Sequence, residues 1–142
     1  MQHDNPDVAQ TTGASPIAGL GIPNGGLQVV SPAQAIYDKI LGQLATSTTS
    51  NYDFADQSLL GDLFYGRWVA LPYIYNALNT LRWEGVHDAI WRDENVKNVH
   101  YILSPKPWDE SEPSKDPSHA WWTTLNEKRL SEEQETGVRD QF

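Results

Sequence analysis

Two groups of residues in this chain have types and spacings that could do chemistry. Asp53 and Asp56 stand three positions apart just ahead of Gln57, and His100 is followed six positions later by Lys106. Two carboxylates beside an amide can orient a hydroxyl group and stabilise positive charge on an anomeric carbon. An imidazole with a nearby ammonium can hold a divalent cation and the anionic group that it bridges. The two groups together are candidates for a group-transfer site.

Each group also has a purely structural interpretation. Asp56 falls at the start of a predicted helix, where a carboxylate commonly caps the free N–H groups. His100 precedes the apolar run Tyr-Ile-Leu, so it could be a buried, hydrogen-bonded histidine of a strand. The residues alone leave both interpretations open.

Apolar periodicity predicts the elements that must position these side chains. Strands are predicted over 27–30 and 96–103, and helices after the cap Ser31-Pro32, over 56–64 and over 124–136. Residues 73–83 fit either a helix or an irregular aromatic segment. Strands that alternate with helices favour an α/β layered fold. Two strands do not make a stable sheet alone, so the sheet is expected to be incomplete.

Composition excludes several classes of function. The chain has 142 residues, a net charge of -9 and a pI near 4.7, which argues against a nucleic-acid partner. It has no cysteine, so disulfides and thiolate metal sites are excluded. No apolar run is long enough to span a bilayer, and the N-terminus lacks the pattern of a signal peptide. A cytoplasmic location without a membrane span is the expectation.

Four stretches, in order, resemble the second half of glycogenin-like and galactinol-synthase-like family-eight glycosyltransferases of fungal type. They are Pro-Asn-Gly-Gly-Leu at 23–27, Asp-Phe-Ala-Asp-Gln at 53–57, Leu-Pro-Tyr-Ile-Tyr-Asn at 71–76 and His-Tyr-Ile-Leu-Ser-Pro-Lys-Pro-Trp at 100–108. The resemblance implies the C-terminal part of a GT-A-like nucleotide-diphospho-sugar transferase fold over 23–108. Residues 1–22 are then a poorly patterned N-terminal segment, and 109–142 a polar link with a helical extension.

The resemblance also implies roles for individual residues. It assigns catalysis to Asp53, Asp56 and Gln57, substrate binding to Asn24, Gly25, Lys106, Tyr75 and Asn76, and metal ligation to His100. The chain departs from the family at Leu103, where a glycine often approaches phosphate, and this puts backbone contact there in doubt. Trp121-Trp122 could be a sugar platform or could pack the C-terminal helix onto the domain.

The implied activity is retaining, Mn²⁺-dependent transfer of a hexose from a UDP-sugar to a hydroxyl acceptor. The family's Asp-x-Asp half has no counterpart here, so we expect the isolated chain to lack significant activity. The alternative is a non-catalytic, truncated or remnant interaction protein that forms homo-oligomers or pairs with a full-length relative. The sequence leaves the hexose and the acceptor open.

Overall fold

The computed structural model describes residues 5–17, 22–110 and 114–138. Within these ranges the α-helices are α1 Pro6–Thr11, α2 Gln34–Leu44, α3 Ala55–Leu63 and α4 His119–Thr136. Strands β1 Ala77–Leu78 and β2 Val99–His100 pair in parallel, with Ala77 opposite Val99 and Leu78 opposite His100. Short 3₁₀ turns occupy Ser47–Asn51, Tyr73–Tyr75, Asn79–Arg82 and Asp93–Asn95.

Helix α3 confirms the helix predicted at 56–64. Its apolar side is packed, with Leu59 and Leu63 both buried. The helix has no side-chain cap at its first turn, although Ser58 Oγ accepts a hydrogen bond from the Phe54 N–H at 3.2 Å. Ala55 has a φ of 43°, a conformation that costs a residue with a Cβ about 1–2 kcal/mol. The strained residue turns the chain sharply just before Asp56.

Helix α2 exists as predicted but begins later and packs differently. Ala33 is its N-cap and has no side-chain hydrogen bond, so the predicted cap at Ser31-Pro32 is wrong. The apolar stripe of the helix is not buried: Leu41 is 46% and Leu44 51% exposed. The periodicity correctly identified a helix, but it did not predict how little of the apolar face is covered within the described part of the chain.

The strand predicted at 27–30 is wrong. These residues form an extended loop in which Val29 is 82% and Val30 71% exposed. A β-branched run becomes a strand only where another strand offers hydrogen bonds, and no described strand lies alongside. For the same reason the strand predicted over 96–103 is limited to Val99–His100. A turn with a cis Ser104–Pro105 bond follows it.

The N-terminal segment packs against the domain, which its composition did not predict. Ala9 is buried, and Gln10 Nε2 donates to the Ile90 carbonyl at 2.7 Å. The Tyr73 hydroxyl lies 3.0 Å from Gln10 Oε1 and accepts from the Arg92 N–H at 3.0 Å. Helix α1 is thereby tied to the irregular segment that leads into β1.

Helix α4 is longer than predicted at its N-terminal end and stops where predicted, at Gly137 with a φ of 70°. His119 opens the helix and is buried, with Nδ1 2.6 Å from Glu110 Oε2 and 2.9 Å from Ser114 Oγ. The Tyr101 hydroxyl donates to the Ser118 carbonyl at 2.8 Å. These contacts fasten the start of α4 to the segment that follows β2.

An apolar hollow of about 990 Å³ lies between the N-terminal segment, α2, α3 and residues 67–73. The indole N–H of Trp68, which lines it, is buried and has no hydrogen-bond partner among the described residues. The described sheet is a parallel ladder of two residue pairs, so the α/β class and the GT-A-like layered fold both stay predictions. Of the helices described, none combines the length and apolar character required to cross a bilayer.

Candidate functional site

A loop at residues 24–26 brings distant segments together. The Gly25 N–H donates to Gln57 Oε1 on α3 at 2.9 Å. Asn24 Oδ1 accepts from the Gly26 N–H at 2.9 Å and from Asn76 Nδ2, just before β1, at 2.9 Å. Residues predicted to bind or act on a substrate therefore meet in one place, although up to 52 positions separate the bonded pairs.

Gly26 is the closest point of approach between the loop and the small sheet. A Cβ added to Gly26 would lie 2.5 Å from His100 Nδ1 and 2.8 Å from Asn76 Oδ1. Both atoms are buried and lack hydrogen-bond partners among the described residues. An unpaired buried polar atom costs about 1–3 kcal/mol. Such atoms at a site are candidates for bonds to a ligand.

The hydrogen bonds fix the orientation of the amide side chains. Gln57 Oε1 and Asn24 Oδ1 must be the acceptors, because each receives a backbone N–H. The amino groups of both side chains remain as donors, and Asn76 Oδ1 remains as an acceptor. A site with separate donors and acceptors is complementary to hydroxyl groups, which both donate and accept.

Asp56 lies beside this cluster, and Asp53 does not join it. Asp56 Oδ2 is 3.0 Å and Gln28 Nε2 3.3 Å from the position that a Cβ on Gly25 would occupy. Asp53 is exposed and has no hydrogen bond or ion pair within the described part of the chain. Tyr75 is likewise 42% exposed. The structure thus adds Gln28 to the predicted set, whereas neither Asp53 nor Tyr75 has a hydrogen bond to the cluster among the described residues.

The positive charge of Lys106 acts on the His100 imidazole. Burial, and secondarily the positive charge of Lys106, lower the pKa of the His100 imidazole below 6.5. The Lys106 ammonium donates to the Tyr101 carbonyl. At neutral pH the site therefore holds a neutral imidazole and one fixed positive charge. This combination suits a ligand with both hydroxyl and anionic groups.

We expect acid to destabilise the protein through His100. A folded-state pKa below the unfolded value of 6.5 means that the unfolded chain binds more protons as the pH falls. The contribution of His100 to the free energy of unfolding is therefore present above pH 6.5 and is lost as the pH falls through the lowered pKa of the folded state. Urea unfolding between about pH 8 and pH 5 would show a steeper loss of stability in the unmodified chain than in His100→Asn. Equal slopes for the two proteins would contradict this prediction.

The residues present do not form a complete metal site. Across residues 5–17, 22–110 and 114–138, no group of three or more His, Cys, Asp or Glu side chains is placed to hold a metal ion. His100 is a single imidazole, and Mn²⁺ prefers several oxygen or imidazole ligands. The predicted Mn²⁺ site, with His100 as a ligand, stays a prediction.

An aromatic pocket adjoins the polar cluster. It has a volume of about 790 Å³ and shares Gly26, Asn76 and His100 with the cluster. Trp121 and Trp122 line it, and they also contact Arg82 and Trp108 respectively. The sugar platform predicted at these residues stays a prediction. Sequence reasoning did not assign Trp108 and Tyr101 to a binding surface, although both fall inside the stretch at 100–108 that carries the resemblance.

Comparison with known proteins gives a distant relationship. The chain is 30% identical over 95 residues to the "Probable glycosyl transferase Gly" of Streptococcus gordonii. The matched region covers 61% of this chain and 13% of that protein. No family model and no solved structure matches the chain. The similarity supports a relationship to glycosyltransferases. Because the chain spans so little of that protein, the similarity does not extend to its complete activity.

Proposed function

We propose that this chain forms the sugar-handling side of a glycosyltransferase site that transfers a hexose from a UDP-sugar to a hydroxyl acceptor. The observation that carries the proposal is the convergence of Asn24, Gln57, Asn76 and His100 around Gly25 and Gly26. These residues come from the four stretches that resemble family-eight enzymes. The distant similarity to a glycosyl transferase agrees with the proposal.

The reaction exchanges one bond at the anomeric carbon for another. The bond from the anomeric carbon to the diphosphate oxygen breaks, and its electron pair stays with the diphosphate. The acceptor hydroxyl oxygen forms the new bond, and its proton passes to a diphosphate oxygen. In our proposal the new bond forms on the face that the diphosphate leaves, so the configuration is retained.

The side chains divide this work according to their chemistry. The amino groups of Gln57 and Asn24 donate to sugar hydroxyls, and Asn76 Oδ1 accepts from one. The Asp56 carboxylate stabilises positive charge that develops on the sugar ring. The Lys106 ammonium, which already lies near His100, takes up negative charge on the departing diphosphate. Family-eight membership is part of this proposal.

Gln57→Glu tests the assignment most sharply. Glutamate keeps an oxygen for the Gly25 N–H, which now bonds Gln57 Oε1 at 2.9 Å, and loses only the amino donor. We expect the affinity for UDP-glucose or UDP-galactose to fall about tenfold, with little change in the unfolding midpoint. Isothermal titration would measure both UDP-sugars and UDP alone.

UDP is the internal control for the added negative charge. Repulsion of the diphosphate would weaken UDP and UDP-sugar equally, whereas a lost contact to the hexose weakens only the UDP-sugar. Gln34→Ala on the exposed surface of α2 is the matched variant, and it should change neither the affinity for UDP nor the affinity for the UDP-sugars. The proposal fails if two results are both obtained. The first is that the unmodified chain binds no UDP-sugar. The second is that His100→Ala and Asp56→Ala leave sugar transfer unchanged in the longest natural form of the protein.

A non-catalytic sugar-binding protein is the second candidate. The observation in its favour is the amide cluster of Gln57, Asn24 and Asn76, whose free donors and acceptor match hydroxyl groups whether or not a nucleotide is attached to the sugar. Such a protein would bind saccharides through the same hydroxyl-complementary cluster and would show no preference for UDP-sugars over free sugars. The titrations above separate the two candidates.

A further inference from the structure

Asn24, which begins the loop at the centre of the polar cluster, stands in a sequence that can modify itself. It is followed directly by Gly25, and no other asparagine of the chain precedes a glycine. Glycine has no Cβ to shield its backbone nitrogen, and it adopts conformations that other residues avoid. The Gly25 nitrogen and the Asn24 side-chain amide are separated by only a few bonds, which favours a reaction between them.

The reaction is a cyclisation followed by hydrolysis, and water is its only co-reactant. The Gly25 nitrogen loses its proton to water and attacks Asn24 Cγ, so that a new C–N bond forms. The bond from Cγ to the amino group then breaks, and the amino group takes up a proton and leaves as ammonia. Water opens the resulting cyclic imide. Opening at the side-chain carbonyl leaves aspartate, and opening at the main-chain carbonyl leaves isoaspartate.

Hydrogen bonds oppose this reaction at both of the reacting groups. The Gly25 N–H, whose proton must leave, donates to Gln57 Oε1 at 2.9 Å. Asn24 Oδ1 accepts from the Gly26 N–H and from Asn76 Nδ2, each at 2.9 Å. The Gly25 proton is therefore not free to leave, and the Asn24 amide is not free to turn, until these hydrogen bonds break.

Burial does not provide this protection. Asn24 is exposed and Gly25 is half-buried, so water has access to the side chain that it must hydrolyse. The hydrogen bonds of the cluster, rather than exclusion of water, are what separate a slow reaction from a fast one.

We propose that Asn24 is a modification site and that Gln57 and Asn76 control its conversion to aspartate and isoaspartate. Conversion proceeds during local openings of the cluster, when the Gly25 N–H is released from Gln57. The inference does not rest on the proposed function, because the reaction requires only the chain and water.

Conversion of Asn24 changes the cluster that contains it. Either product has a carboxylate in place of the amino group, which adds negative charge to a chain of net charge -9. Isoaspartate also inserts one more carbon atom into the main chain just before Gly25. A Cβ on Gly26 would already lie 2.5 Å from His100 Nδ1, so the lengthened loop has to rearrange. A molecule whose cluster has opened is thereby altered permanently.

Incubation of the complete chain in mildly alkaline buffer, followed by peptide mapping, tests the proposal. Tandem mass spectrometry detects the replacement of the amino group of Asn24 by a hydroxyl, and chromatography separates the aspartate and isoaspartate peptides. Asn5 lies in the same N-terminal region and precedes Pro6, which has no N–H. Asn5 is therefore the internal control, and it should stay unmodified.

The variants separate the hydrogen bonds from other effects. We expect Gln57→Ala to accelerate conversion about fivefold, the factor that corresponds to one lost hydrogen bond. Gln57→Glu keeps an oxygen that accepts from the Gly25 N–H, so it should convert as slowly as the unmodified chain. Asn76→Ala removes one donor to Asn24 Oδ1 and should also accelerate conversion. Gln34→Ala on the exposed surface of α2 should leave the rate unchanged.

The chain unfolded in concentrated urea gives the unprotected rate, which we expect to exceed the rate of the folded chain. The inference is overturned if the folded and unfolded chains convert at equal rates. It is also overturned if Gln57→Ala is no faster than the unmodified chain, or if Gln57→Glu is as fast as Gln57→Ala. Circular dichroism shows whether the variants are folded. If Gln57→Ala does not fold, Asn76→Ala decides, and an unchanged rate in that variant overturns the inference.

Discussion

Replacing Gly26 with alanine is expected to abolish UDP-sugar binding, with a loss of about a hundredfold or more. The new methyl group would lie 2.5 Å from His100 Nδ1 and 2.8 Å from Asn76 Oδ1, far inside contact distance. Both atoms belong to side chains of the cluster, so either His100 and Asn76 must move far from their present positions or the loop must leave the sheet, and each change breaks up the cluster. Isothermal titration with UDP-glucose and UDP-galactose measures the effect.

Gly25→Ala provides the comparison. A methyl group there would meet Asp56 Oδ2 at 3.0 Å and Gln57 Cγ at 3.1 Å, both on side chains that can shift by a few tenths of an ångström. We therefore expect a clearly smaller loss than for Gly26→Ala. If the two variants bind UDP-sugars equally well, the close approach at Gly26 has no part in the site.

Gly13→Ala is expected to cost the fold about 3 kcal/mol. A Cβ there would lie 2.0 Å from the Ala70 carbonyl oxygen and 2.4 Å from its carbon. Because both are backbone atoms, no rotamer change relieves the clash. The N-terminal segment, with buried Ala9, would have to move away from residues 69–71. Urea unfolding followed by tryptophan fluorescence would measure the change.

Gly42→Ala controls for the general effect of this substitution. Gly42 lies inside α2 with nothing within 4 Å of an added Cβ, so alanine should stabilise the helix by up to about 1 kcal/mol. We therefore expect Gly13→Ala to lower the free energy of unfolding and Gly42→Ala to raise it. If Gly13→Ala proves as stable as the unmodified chain, the N-terminal segment does not pack as described.

Local pattern was sufficient to predict elements that carry their own signals. Helix α3 has an apolar side, with Leu59 and Leu63 recurring at helical spacing, and α4 ends at a glycine in the left-handed region. The strands were harder to predict, because a strand depends on a partner far away in the chain. The run at 27–30 has the composition of a strand and remains a loop. Ala77 pairs with Val99, although residues 73–83 fitted either a helix or an irregular segment.

The residues of the site also divide into those that the sequence could predict and those that it could not. Asn24, Gln57 and His100 could be selected because short motifs around them resemble those of known enzymes. Their meeting at Gly26 could not be derived from spacing, since it depends on the packing of segments far apart in sequence. Trp108 is the last residue of one of these motifs. Its place in the aromatic pocket depends on the start of α4, which packs against it through Trp122.

The short parallel ladder also links occupancy of the site to local opening of the backbone. Asn76 immediately precedes β1 and His100 ends β2, and the connection between them includes the bond from the Ala77 N–H to the Asn98 carbonyl at 2.9 Å. Because the ladder has so few hydrogen-bonded pairs, it can open locally without unfolding of the rest of the molecule. If a ligand bridges Asn76 and His100 as proposed, we expect it to act as an additional cross-strand link and to slow hydrogen exchange at the Ala77 amide as it saturates the site.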